Sequence, residues 1–244
     1  MPNITKKWKK ALLVGCSHGD KIDHLAADAV IKFRDALKPD TVVHLGDFID
    51  TAAFRSGAQG SEDESTPVRP DIDSGLAFLK ALRPTIICNG NHEARLWRLK
   101  HHHNAVVSEL ANQIIESFRS LAKSMKSDYM EKWDINNYRM VGNYKVMHGY
   151  MFGENATRDH ADVHGNIIHA HTHRPAMAQG RRDESATGYC VGTLSNIPAM
   201  EYASTRRSTH AWAQGFVWGE YTEKQSVFWL HVQPKGQKEW VLPI

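Results

Sequence analysis

The chain has 244 residues, 41% of them hydrophobic and 23% charged, with a formal net charge of +3. No apolar run approaches the roughly 20 residues that cross a bilayer, and three cysteines are too few, and odd in number, for a disulfide framework. The mild positive charge is compatible with a phosphate-bearing substrate and too weak to argue for nucleic acid by itself.

In chain order, the start MPNITKKWKK-ALLVG is basic and then briefly apolar. It lacks the long apolar region and small-residue cleavage site of a secretory signal, so a cytoplasmic chain is expected. Residues 11–15 read as a buried strand. Ile22, Leu25, Ala29, Val30, Phe33 and Leu37 recur at helical spacing, and Pro39 closes that helix. Residues 41–45 are β-branched and short, a second strand. Residues 52–73 are rich in Gly, Ser, Pro and acidic groups and read as a long loop. Residues 85–89 are a third strand.

Val107, Leu110, Ile114, Phe118, Leu121 and Met125 mark a long amphipathic helix over 105–126, read as part of an inserted cap. Strands follow at 144–148 and 166–170. From about 187 the pattern turns to short strands, with Trp212, Trp218 and Trp229 read as core. Strands alternating with helices predict a layered α/β fold. We expect one domain over 1–244, with insertions at about 52–83 and 94–143.

Fifteen histidines are the compositional anomaly, and their placement is informative. Each expected strand runs into residues able to hold a metal: Cys16-Ser17-His18, then Asp47 to Asp50, then Asn91-His92-Glu93, then His148, then His171-Thr172-His173. In open α/β sheets, sites form outside the carboxyl ends of strands. Any one of these motifs is weak; five in order make a metal-site constellation. Gly46 and Gly90, before Asp47 and Asn91, permit the tight turns that aim side chains at one centre.

These residues resemble the calcineurin-like metallophosphoesterase family, whose motifs run Asp-x-His, Gly-Asp-x-x-Asp, Gly-Asn-His-Asp/Glu, a lone His, and Gly-His-x-His. The second and third are intact here as Gly46-Asp47-Phe48-Ile49-Asp50 and Gly90-Asn91-His92-Glu93. His148 matches the lone histidine, and Ala170 replaces glycine before His171-Thr172-His173. The first motif carries Cys16 where the family has aspartate, which is similar to RNA lariat debranching enzymes. The run from Gly90 to Arg95 also resembles the small metallophosphoesterases common in bacteriophage genomes.

The resemblance implies a four-layer αββα sandwich of two mixed sheets and a pair of divalent ions, with manganese, zinc and iron as the candidates. It assigns Cys16, His18, Asp47 and His173 to one ion and Asp47, Asn91, His148 and His171 to the other. Asp47 bridges, because a carboxylate offers two anionic oxygens to two cations. The nucleophile is a hydroxide held between the ions, His92 is the general acid for the leaving oxygen, and Asp50 holds His92 charged.

Cys16 has three readings: a thiolate ligand favouring softer metals, an unbound thiol beside a weak site, or packing. Arg95, Arg98 and Arg174 suit phosphate recognition and equally suit surface ion pairs. His169 is not taken as a ligand, His44 reads as core, and His101-His102-His103 reads as an exposed turn. A phosphodiesterase acting on nucleic acid or nucleotide is the leading expectation. A phosphomonoesterase or protein phosphatase is its rival, and a non-catalytic scaffold is a third reading.

Overall fold

The computed structural model describes residues 7–183, 185–200, 207–237 and 239–243. Strand β1 (Lys9–Val14) sets the architecture. Ala11 and Leu13 enter one apolar cluster, while Leu12 and Val14 enter another. Successive side chains of a strand point to opposite faces, so β1 is covered on both sides, as strands of parallel sheets are.

The chain continues through α1 (His24–Leu37), β2 (Thr41–His44), α2 (Val68–Leu82), β3 (Ile86–Cys88), α3 (Glu93–Leu99), α4 (Ala105–Met125) and β4 (Asp128–Met130). Then come β5 (Arg139–Val141), β6 (Tyr144–Val146), α5 (Ala156–His164), β7 (Ile167–His169), β8 (Ala176–Gln179), β9 (Thr187–Cys190), β10 (Gly215–Tyr221) and β11 (Ser226–Val232). The first sheet has the order β11-β10-β1-β2-β3-β4, and the second β5-β6-β7-β9-β8. Strands β1 to β4 run parallel, as do β6, β7 and β9; β10, β5 and β8 pair antiparallel with β1, β6 and β9, and β11 pairs antiparallel with β10. Both sheets are therefore mixed.

The sheets pack face to face through Leu13, Val43, Leu45, Val146, Ile168 and Val217. At the end of β1 the fit is tight: a Cβ on Gly15 would lie 2.8 Å from the Ala170 methyl. Helices α1 and α2 cover the outer face of the first sheet through Val30, Phe33, Leu37, Phe78 and Leu82. Helix α5 covers the second sheet, where Ala161 meets Met147 and Ile167. The result is the expected αββα layering.

Three sequence expectations change. The loop foreseen to residue 73 stops earlier, because α2 starts at Val68. Pro70 falls in its first turn, where the missing N–H breaks no intrahelical bond. The helix read as part of a cap is also the crossover from β3 to β4. Its apolar face (Ala111, Ile114, Ile115, Phe118) packs with Phe48, Ile49, Ile87 and Leu96. The two C-terminal strands pair with Trp218 opposite Trp229. Trp218 packs on Phe33, whereas Trp229 is 45% exposed on the edge strand instead of in the core.

Candidate metal centre

Five loops converge at one edge, those leaving the carboxyl ends of β1, β2, β3, β6 and β7. They are laced by backbone. The amides of Cys16, His18 and Gly19 donate to the carbonyls of Gly46, Asp47 and Phe48 at 2.9, 3.0 and 3.0 Å. The Ala170 amide donates to His148 O at 2.9 Å. The C-terminal part of the chain supports them from behind. Thr193 Oγ1 donates to Cys16 O at 2.7 Å, and the Ala213 amide donates to His173 O at 3.1 Å.

The loops are locally unusual. Cys16, His18, Asp47, Thr51, His171 and His173 all have positive φ, between 50° and 67°. The other non-glycine cases among the described residues, Lys38, Arg83 and Lys126, end helices, where left-handed geometry is routine. Elsewhere such geometry is costly for a residue with a side chain, and it concentrates at functional sites.

The side chains so aimed form two donor groups that share Asp47. Ligand atoms of Cys16, His18, Asp47 and His173 lie within 4.8 Å of one another, as do those of Asp47, His148 and His171. Asn91 Oδ1 joins the second group, 2.8 Å from His171 Nδ1 and 3.1 Å from His148 Nε2. The arrangement fits cations. His148 donates its Nδ1–H to Leu45 O at 2.8 Å, which turns Nε2 toward Asn91 Oδ1 at 3.1 Å and toward Asp47 Oδ2 at 3.2 Å. His173 Nδ1 is buried without any hydrogen-bond partner.

Protonation follows the same logic. Burial pushes His18, His171 and His173 down, His171 to about 3, leaving lone pairs free to ligate. Burial, and then Asp47, push the Cys16 thiol well up. Burial works against charge on Asp47, yet His148, His92 and His18 hold it well below the carboxylate range.

His92 departs from this pattern. Burial opposes its charge, but Asp47 and the Asp50 carboxylate raise its pKa above the ordinary value. Its Nδ1–H donates to Asp50 O at 2.6 Å, with Asp50 Oδ1 at 3.2 Å. Nε2 stands 3.9 Å from Asp47 Oδ2 and 3.3 Å from an Arg95 nitrogen. Asp50 also accepts from His18 Nδ1 at 3.1 Å and from Lys21 Nζ at 2.7 Å. Burial works against charge on Asp50, but the bonds from His18 and His92 keep it far below the usual range.

Two acids whose work the sequence reading did not identify hold these loops. Glu93, fully buried, accepts from the amides of Asp47, Ile49 and Gly90 at 2.9, 3.1 and 2.7 Å, tying the β2 loop to the β3 loop. Burial and Asp47 push its carboxyl up to about 7. Asp71, from the first turn of α2, accepts from the amides of Asp50 and Thr51 at 2.8 and 2.7 Å. The Glu93 signal was available as the fourth position of its motif; Asp71 has no comparable mark.

The site opens into a cavity of about 380 Å³ that reaches Arg55, Arg95, Arg174, Phe152 and Trp212. Trp212, expected in the core, is half-buried against His173, with ring centroids 4.3 Å apart, and lines this cavity. Arg95 donates to the carbonyls of Asp50 and Thr51 at 2.7 and 3.2 Å. Arg174 donates to Phe152 O at 2.9 Å. Arg98 is not among the lining residues. His44 is buried against Ser17, and His169 bonds Thr157, so neither reaches the donor groups. His101 and His103 are exposed, as expected.

No helix among the described residues is long and apolar enough to cross a membrane. The "Gene 54 protein" of Mycobacterium phage D29 is 25% identical over 218 residues, covering 80% of this chain and 82% of the relative. The "Gene 54 protein" of Mycobacterium phage L5 is 24% identical with the same coverages. Among solved structures, one described as a novel archaeal phosphodiesterase aligns over 92% of this chain and 99% of its own, at 14% identity and a TM-score of 0.44. Vacuolar Protein Sorting 29 from Cryptosporidium parvum aligns over 94% of each chain, at 13% identity and a TM-score of 0.47. The calcineurin-like phosphoesterase profile matches residues 9–176, which contain all five converging loops. By that match the chain belongs to the calcineurin-like phosphoesterase family.

Proposed function

We propose that the chain is a metal-dependent phosphodiesterase with His92 as its general acid. One arrangement carries the reading. His92 adjoins two donor groups that share Asp47 and belongs to neither: its Nδ1–H goes to Asp50 O at 2.6 Å, and its Nε2 stands 3.9 Å from Asp47 Oδ2. An imidazole held by an acidic residue beside such a cage serves as a proton donor.

Cys16, His18, Asp47 and His173 would hold one divalent ion, and Asp47, Asn91, His148 and His171 the other. Manganese, zinc and iron are the candidates, and a thiolate from Cys16 tilts the first site toward zinc or ferrous iron. Bound ions supply charge stabilisation for the phosphoryl oxygens and an activated water as nucleophile.

The protein's own groups do the rest. Asp50 O fixes the His92 ring by taking its Nδ1–H, which leaves Nε2 to give a proton to the leaving oxygen. The Asp50 carboxylate stabilises the charged ring until that transfer. Glu93 and Asp71 hold the loops in register through backbone amides. Arg95 and Arg174 line the cavity, and their guanidinium groups suit phosphate oxygens. The cavity extends past the donor groups to Phe152 and Trp212, which leaves room for a second substituent on phosphorus.

The test is a comparison of bis-p-nitrophenyl phosphate with p-nitrophenyl phosphate under manganese, zinc or ferrous iron. The diester should be preferred in kcat/KM. Equal or better turnover of the monoester would make the chain a phosphomonoesterase, and no turnover of either would favour a scaffold.

A further inference from the structure

Phe152 is 82% exposed, yet its backbone is tied down. Arg174 donates from one guanidinium nitrogen to Phe152 O at 2.9 Å and to Gly153 O at 2.5 Å, so the loop after β6 is tied to the loop carrying His173. Phe152 lines the same cavity as the candidate ligands and as Trp212, whose indole packs at 67° to the His173 ring. A scattered surface phenylalanine needs no explanation. A backbone-anchored ring at the mouth of a metal-site cavity, with a second aromatic side chain and a guanidinium in the same wall, has the composition of a stacking subsite.

We propose that this wall receives a nucleobase, so that the substrates are nucleotide phosphodiesters; the proposal rests on the phosphodiesterase reading. The leaving oxygen faces His92 and Arg95, at the start of α3. Phe152, Arg174 and Trp212 adjoin His171 and His173, so the base they receive belongs to the substituent that stays on phosphorus. A cavity of about 380 Å³ lies within the roughly 300–1,000 Å³ of pockets that enclose small organic ligands, more than a lone phosphoryl group requires. A planar base gains from an aromatic face whatever its sequence, and the cavity-lining Arg55, Arg95 and Arg174 suit the phosphate attached to it.

The experiment holds the leaving group constant. The manganese-loaded protein is assayed on the p-nitrophenyl ester of thymidine 5′-phosphate and on p-nitrophenyl phosphorylcholine, diesters that differ only in the retained substituent. The thymidine ester should be preferred by about fivefold or more in kcat/KM, chiefly through KM. Phe152→Ala should bring that ratio close to one, and Phe152→Tyr should restore it. Equal kcat/KM for the two esters in the wild type, or an unchanged ratio in Phe152→Ala, overturns the subsite.

A second readout does not depend on turnover. Thymidine 5′-phosphate should quench tryptophan fluorescence of the wild type, with the quench largely lost in Trp212→Phe. If no ester is hydrolysed, the hydrolase reading fails, and this titration decides the subsite alone: a quench that needs Trp212 sustains it, and none refutes it.

Discussion

Gly90→Ala tests the geometry on which the site depends. An ideal Cβ at this position would lie 2.1 Å from Asp47 Oδ1, 2.7 Å from His148 Cε1 and 2.8 Å from Asp47 N. No rotamer of alanine avoids this. The Asp47 carboxylate must retreat by about 1 Å or more to reach a normal non-bonded separation. That retreat breaks the bond it accepts from the His92 amide at 3.0 Å and pulls Oδ2 from its place 3.2 Å from His148 Nε2. A misplacement of this size in a catalytic array costs about a hundredfold, and here the displaced group is the one shared by both donor sets. The expected result is a loss of at least that factor in metal-dependent turnover of bis-p-nitrophenyl phosphate, with manganese binding by calorimetry weakened in parallel. Cooperative thermal unfolding should persist, because Gly90 lies outside the apolar clusters. A variant with turnover within about threefold of the parent and unaltered manganese affinity would show that Gly90 and Asp47 do not approach as described.

His92→Ala should keep the metal content, measured by elemental analysis, and lose about 10²–10⁴ in turnover of esters with poor leaving groups. The loss should be smaller for p-nitrophenyl esters, which leave without protonation, and full activity on an alkyl ester would remove His92 as the acid. Asp71→Asn probes pH-dependent stability in chelator-treated protein. Burial lifts the Asp71 carboxyl to about 6 from an ordinary 3.8, so the native state keeps a proton that the unfolded chain has already lost. Native stability therefore falls as pH rises between those two values, by about 3 kcal/mol in total. In urea unfolding, the variant should gain on the parent by up to that amount between about pH 4 and about pH 7; parallel profiles would refute the shift. EDTA should abolish turnover. In the cobalt-substituted protein, a near-ultraviolet thiolate band that disappears in Cys16→Ser would establish sulfur ligation, whereas its absence in the parent would leave Cys16 as packing.

The site was legible in sequence because parallel strands deliver their carboxyl ends to one edge. Once ALLVG, TVVHL and TIICN are read as such strands, Cys16, His18, Asp47 and Asn91 must be neighbours, and the structure brings them together with His148, His171 and His173. What holds them there was not legible. Thr193 braces Cys16 across 177 residues, and no periodicity marks such a contact. Left-handed φ at Cys16, His18, Asp47, His171 and His173 is imposed by the lacing of the loops, while propensity alone would have assigned it to glycine. Helix α5 went unforeseen because it buries small and polar residues (Ala156, Thr157, His160, Ala161) in place of a large apolar stripe. Trp212 sits in an apolar-looking run, and only its contact with His173 shows that it walls a cavity.

The meeting of Gly15 and Ala170 bears on how this sequence can drift. The seam between the sheets has space for one methyl group there: Ala170 holds it, and a Cβ on Gly15 would intrude to 2.8 Å. The two positions are therefore locked in trade. Adding a carbon at 15 alone should wedge the seam beside Cys16, while moving the carbon from 170 to 15 should be tolerated, with only the Leu45 Cβ at 3.2 Å left to yield. A glycine at 170 would hand that freedom back, so substitutions on β1 and after β7 are coupled through a gap one carbon wide.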